Sequence, residues 1–363
     1  MAHPDKPTPT ESGHRGLTIE SLGAARLPAL FALARQAWDR SRSPESLAWR
    51  YEHCPSLEAS LAMHGEECVA CVFALRRTYW TPAGAIECLE PFDWFTAEAW
   101  RPKGAGLRAM KRFMSGSRPL FALGGSVAAQ NLFTRLGWRP FCTTNRLVLP
   151  LTGRFLEWRG RGALLARGFD LTARRFYAPR RPMRSPLRVE PATSPGPALG
   201  SIVQRQRRFD CVPRPDLGLL RWLRAAPPEM GLYLGFNLLV RDAMVGWAWA
   251  RVLTAGGLRF ADLQDLLLAD EARDLYPVAV RHVTAALAGF DVDAIFATTS
   301  CPDTLTALTG ARFRFDDALP VYAWWPGQDL PTRALIMGSH AEHAFFPSPT
   351  SSESAWAASP SDG

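Results

Sequence analysis

Glu87-Cys-Leu-Glu90-Pro-Phe-Asp93-Trp-Phe95-Thr96-Ala-Glu98-Ala-Trp100-Arg101-Pro-Lys103-Gly104-Ala105-Gly106-Leu107 is the stretch whose reading decides the fold. Its first ten residues read as a strand, Arg101–Gly106 as a tight turn, and Leu107–Met114 as a helix that starts at once. Such a junction aims backbone N–H groups and a helix N-terminus at one point, which suits a diphosphate. Gly104 and Gly106 allow the close approach and unusual dihedrals the turn needs, and Arg101 and Lys103 add positive charge.

Working outward, apolar spacing (Leu27, Leu30, Phe31, Leu33, Ala34, Ala37, Trp38) predicts an amphipathic helix within Leu17–Arg40. A short helix from Ser46 stops at Pro55, and a hairpin, Ala59–His64 and Cys68–Tyr79, turns at Gly65. After the loop come a strand at Pro119–Gly124, a helix at Ser126–Leu136 capped by Gly137, and a closing strand at Thr143–Leu151. From Val189 the order recurs: strands at Gly231–Val240, Met244–Leu253 and Leu258–Leu268, helix Leu275–Ala288, strand Ala294–Thr299, helix Pro302–Leu308. An internal duplication with a period of about 180 residues is the expectation. The second copy has no glycines at its turn and carries Glu271 and Asp274 there, so it reads as degenerate.

Together these motifs resemble the GCN5-related N-acetyltransferase (GNAT) superfamily. Its Q/R-x-x-G-x-G/A loop falls on Arg101–Gly106, and its helix ending in Leu-Gly-aromatic falls on Ser126–Trp138. In the segment before the loop, Glu98 replaces the usual proline and Trp100 keeps the aromatic. The resemblance implies an α/β (α+β) fold of two GNAT-like domains, each a mixed, largely antiparallel sheet flanked by helices. The sheet would splay at the fourth and fifth strands to admit an acyl thioester. Acetyl-CoA, or another acyl-CoA, would be the co-substrate. Its diphosphate would rest on Lys103, Gly104, Ala105, Gly106 and Leu107, with Arg101 alongside. Phe95 and Thr96 would face the thioester, with a backbone N–H near Phe95 as donor to its carbonyl, and Ser126 stands where the family often has asparagine. The base would be Glu90 or Asp93, with Glu87 also on the strand and Pro91 able to reset its phase. The family's frequent tyrosine acid falls on Phe133, which cannot donate. Either the thiolate leaves without an enzymic acid, or another residue serves, or the site binds without catalysing.

The expected domains are a disordered leader (1–15), a GNAT domain with the loop (16–152), an Arg/Pro-rich linker (153–188), a degenerate copy (189–331) and a disordered tail (332–363). Composition narrows the function. Seven cysteines in 363 residues point to reduced thiols, and the Cys68/Cys71 pair sits in a strand with no second pair, so no metal is expected. No apolar run would span a bilayer and no secretory signal opens the chain, so a cytoplasmic protein is expected. The net charge of +8 is carried mostly by arginine, without a nucleic-acid motif. The linker holds ten arginines against two acids, and reads either as a solvated connection or as a basic amphipathic patch (Phe155, Leu156, Trp158, Leu164, Leu165, Phe169) for anionic lipid. The leading function is acyl transfer to an amine, an amino sugar of a cell-surface polysaccharide being the acceptor by analogy. The alternatives are a non-catalytic CoA-binding protein and a Fem-type aminoacyl transferase.

Overall fold

Gly65, in the left-handed region at φ 59, reverses the chain between two strands whose apolar residues are almost wholly enclosed. The computed structural model describes residues 16–37, 43–176, 185–194, 196–327, 330–331 and 333–340. The first half runs β1 (Leu17–Ser21), α1 (Leu27–Ala37), α2 (Pro44–Tyr51), β2 (Leu57–His64), β3 (Glu67–Thr81), β4 (Gly84–Thr96), α3 (Ala105–Met114), β5 (Leu120–Leu123), α4 (Val127–Arg135) and β6 (Arg139–Pro150). There follow α5 (Gly153–Trp158), α6 (Ala163–Phe176), β7 (Leu187–Ala192), α7 (Leu199–Gln204), β8 (Val212–Pro213) and α8 (Leu217–Arg224). The second half runs β9 (Leu232–Val240), β10 (Ala243–Ala255), β11 (Leu258–Leu268), α9 (Tyr276–Ala288), β12 (Ala294–Thr299), α10 (Pro302–Gly310) and β13 (Arg314–Trp324). From β9 the order hairpin, strand, helix, strand, helix, strand repeats that from β2 to β6.

The chain divides into two compact units, with the boundary inside β3 and β4. The smaller comprises residues up to 42, 58–73 and 93–116. There β1 pairs antiparallel with β2, Leu17 opposite His64. Leu17 and Ile19 of β1 pack with Ala62, Val69, Ala70 and Ala105. The helix expected within Leu17–Arg40 is therefore shorter. The Leu-Thr-Ile-Glu alternation puts every second side chain on this core, and helix begins only at Leu27. Trp38 lies outside the described residues.

The larger unit comprises residues 43–57, 74–92 and 117 onward. Its strand order is β3-β4-β5-β13-β6-β12-β11-β10-β9-β7, with β8 paired to β3. The order corrects one expectation. β6 does not close the first half, because β13 lies between β5 and β6, and β6 pairs on its other side with β12. Each half thus completes its sheet with a strand of the other.

Two further corrections concern the expected linker and tail. In α5, Phe155 is buried against Leu253, Phe260 and Phe296, and the Asp170 carboxylate accepts from the Gly153 N–H at 2.6 Å, so the start of the linker is core. The tail expected from 332 begins with buried chain: Ala334, Leu335, Ile336, Met337, Ser339 and His340 are all enclosed. Leu335 N–H donates to Cys211 O and Ser300 N–H to Ile336 O, so the apolar run Ala-Leu-Ile-Met satisfies its backbone as it packs. The leader (1–15) and residues 341–363 lie outside the described residues. Among the described residues, no helix is long and apolar enough to cross a membrane and no group of side chains could hold a metal ion.

Candidate functional site

In the smaller unit the end of β4 delivers the chain into the glycine turn. Gly104, the residue before α3, is left-handed (φ 69, ψ 24). A side chain there would meet open space, so the dihedral and not crowding favours glycine. Gly106 is the reverse case. A Cβ on it would lie 2.1 Å from Thr96 Oγ1 and 2.9 Å from Trp94 Nε1. The Trp94 indole N–H donates to Gly106 O at 3.0 Å, which ties the first turn of α3 to β4. The first intrahelical bond of α3 is Arg108 N–H to Gly104 O, so the amides of Ala105, Gly106 and Leu107 have no intrahelical acceptor. No acid stands in that turn. Arg101 and Lys103 are exposed; the Arg101 Nε donates to Thr96 O at 3.2 Å, and the Lys103 ammonium sits 3.9 Å over the Trp100 ring. The turn thus gathers two exposed cationic side chains and the open amides of a helix N-terminus.

Asp93 adopts φ 46, rare for a non-glycine residue, and this breaks the alternation of β4 two residues after Pro91. It is 6% exposed, and its carbonyl accepts from the Cys71 thiol. The amide of Phe95 lies against the same sulfur, whose pKa is pushed well up by burial. Phe95 and Thr96 are half-buried.

In the larger unit, Leu89↔Leu120 is the sole register pair of the parallel β4–β5 ladder, so the two strands part after one rung. Glu90, the next residue of β4, is fully enclosed. Tyr79 O–H donates to its carboxylate at 2.5 Å, and Arg77 lies 3.5 Å away. Burial and the neighbouring carboxylate push the Tyr79 pKa well above its usual value. Arg77 also donates to Ser339 O at 3.1 Å, and His340 is held neutral by burial, its pKa lowered. Ser339 and His340 belong to the segment expected to be tail. Only the apolar run before them, Ala334–Met337, could have marked them from sequence.

The remaining candidates divide. Glu87 is a surface residue, paired with Arg118 at 3.0 Å. Ser126 Oγ accepts from Ala129 N–H and so caps α4. Phe133 is buried against Trp138 and, 5.4 Å away, Tyr322 of β13. Trp49 stacks on Trp222 at 4.2 Å and 6°, and each indole N–H donates to the other's carbonyl (3.1 and 2.9 Å), clamping α2 to α8. In the second half, Asp270 takes Arg208 and the Arg207 N–H, and Glu271 faces Arg205, so acids stand before α9. All seven cysteines are free; burial pushes the thiols of Cys54, Cys68 and Cys142 up to about 12.

No family model and no curated protein matches this sequence. Solved structures do match its fold. A GCN5-related N-acetyltransferase from Anabaena variabilis superposes with a TM-score of 0.60 at 10% identity, over 85% of this chain and 72% of that one. Saccharomyces cerevisiae N-myristoyltransferase, solved with bound myristoyl-CoA, gives 0.58 at 15% identity, over 89% and 81%. An Enterococcus faecalis protein of unknown function, described as a probable N-acyltransferase, gives 0.56 at 10%, over 85% and 71%. The chain therefore has the fold seen in GCN5-related N-acetyltransferases, the fold to which Arg101–Gly106 and Leu136-Gly137-Trp138 had pointed.

Proposed function

We propose that this protein is an acyl-CoA-dependent N-acyltransferase whose cofactor diphosphate rests on Lys103–Leu107, with Arg101 beside it. The observation that carries this reading is the turn itself. A left-handed Gly104, a Gly106 with no room for a Cβ, and a first helical turn with open amides and no acid together make an anion cradle. The resemblance supplies the rest: the thioester enters where β4 and β5 part, Phe95 and Thr96 flank it, and Ser126 begins the helix beyond. Glu90 is the proposed proton acceptor and Asp93 its alternative, and Glu90→Gln and Asp93→Asn separate them by their effect on kcat. We take the acyl group to be acetyl and the compartment to be the cytoplasm, and read the chain as a tandem pair whose second copy has lost its loop. The acceptor is an amine. An amino sugar is the acceptor suggested by analogy.

A second reading, a CoA-binding protein without catalysis, is favoured by Phe133, which offers no proton to a departing thiolate. Calorimetry with acetyl-CoA on the wild type and Gly104→Glu tests the first claim, and thiol release across a panel of amines tests the second. Wild-type protein that fails to bind acetyl-CoA would remove both readings.

A further inference from the structure

A cleft in the larger unit has apolar walls from α7, α8, Trp247 of β10 and Leu267 of β11, and a polar floor of Arg77, Asp265 and Ser339. The charges on that floor do not balance. Arg77, 7% exposed, is matched by Glu90 at 3.5 Å. Asp265 Oδ1 is shielded from solvent and has no hydrogen-bond donor, while the rest of its carboxylate is held by Ser339 and attracted by Arg77. His340, 2% exposed, has neither ring nitrogen bonded and stays neutral. The other acid of the lining, Asp216, is used: it accepts from the amides of Gly218 and Leu219 and caps α8. One guanidinium thus serves two carboxylates, fully enclosed Glu90 and half-buried Asp265, and leaves one negative charge unmatched. A buried carboxylate in that condition takes up a proton, and burial does raise the Asp265 pKa, or it takes a cationic ligand.

Size decides what kind of cation fits. The cleft has about 40 Å³ of room, enough for roughly three water molecules and too little for a pyranose ring. Its walls repel a hydrated ion and favour methylene groups. We propose that this cleft binds the ammonium end of an unbranched aliphatic amine, with Asp265 as counter-ion and the chain lying between α7 and α8. Calling that amine the acyl acceptor rests on the acyltransfer reading above; the binding site itself does not.

The test is calorimetry of the full chain with n-butylamine, without CoA, against n-butanol and glucosamine as size- and charge-matched controls. Butylamine should bind, both controls should not, and Asp265→Asn should weaken butylamine at least about tenfold, as loss of a charged hydrogen bond does. Asp242→Asn, an exposed acid elsewhere, should leave binding unchanged. Leu219→Trp, which fills the cleft, should abolish binding while circular dichroism stays that of the wild type. No binding by the wild type, equal binding of glucosamine, or binding that survives Asp265→Asn overturns the proposal. Thiol release is read in parallel with acetyl-CoA. Butylamine binding without release keeps the cleft and removes the acceptor role. Release with other amines but no butylamine binding removes the cleft and keeps the acyltransfer reading.

Discussion

Gly106→Ala is the substitution that most directly separates the fold of the loop from its use. The new methyl would lie 2.1 Å from Thr96 Oγ1 and 2.9 Å from Trp94 Nε1, so either the first turn of α3 or the end of β4 must move by about 1 Å. Overpacking of that kind costs about 1–3 kcal/mol, a fall in Tm of roughly 2–4 °C per kcal/mol for a chain of this kind. A diphosphate on the Lys103–Leu107 amides would lose alignment with at least one donor. A charged hydrogen bond is worth about 1.5–3 kcal/mol, so acetyl-CoA should bind about ten- to a hundredfold more weakly. Thr96→Ala removes the oxygen and leaves a 3.4 Å contact to its Cβ, although Trp94 Nε1 still lies 2.9 Å away. The double variant Gly106→Ala/Thr96→Ala should therefore regain part of the loss in Tm, with a coupling of about 1 kcal/mol in the cycle. The assays are scanning fluorimetry for Tm and calorimetry for acetyl-CoA. If Tm falls while the acetyl-CoA affinity holds, the cradle is not where the diphosphate rests.

Other outcomes are expected elsewhere. Asp265 has a raised pKa, so between 3.8 and its folded value the native state holds more protons than the unfolded one, and its contribution to stability falls as pH rises through that window. Asp265→Asn should thus raise Tm by about 2 °C or more at pH 7, a gain that shrinks toward acid; an unchanged Tm at pH 7 would count against an unbalanced carboxylate. Trp222→Ala breaks the stack and both indole bonds of the α2–α8 clamp and should cost about 3–5 kcal/mol by denaturant unfolding. In α6, Leu164, Leu165 and Leu171 are 84, 68 and 83% exposed beside exposed Arg161 and Arg167. If this face meets anionic lipid, changing all three to serine removes about 1 kcal/mol each and weakens vesicle binding about a hundredfold; wild type that ignores anionic vesicles at low salt would end that reading. Tyr322→Phe, beside Phe133, should lower kcat with little effect on KM if its hydroxyl supplies the proton that Phe133 cannot.

What sequence could reveal was the local part. Gly104 and Gly106 mark the loop because left-handed dihedrals and a contact without a Cβ each leave glycine behind, and Ser126 and Gly137 bracket α4 for the same kind of reason. Which apolar residues of 153–188 are core was not legible. Phe155 looked like the exposed Leu164 and Leu165 in composition, and only tertiary contact with Phe260 and Phe296 tells them apart. The buried floor of Arg77, Asp265 and Ser339 was not legible, because its members lie 188 and 74 residues apart along the chain and meet through strand order, which no local pattern encodes.

That strand order also bears on why the two halves differ at their turns under the tandem reading. With β13 lodged between β5 and β6, and β6 in turn against β12, neither half can close its sheet without the other. Under the tandem reading, the second half is then retained for the strands it lends, whatever becomes of its turn. Its turn is then free to differ, and where the first half has open amides the second has acids paired with Arg205 and Arg208. The same exchange sets Asp265, from the second half, beside Arg77, from the first, on the floor of one cleft. The exchanged closing strands thus form the proposed ligand site from residues of both halves of the chain.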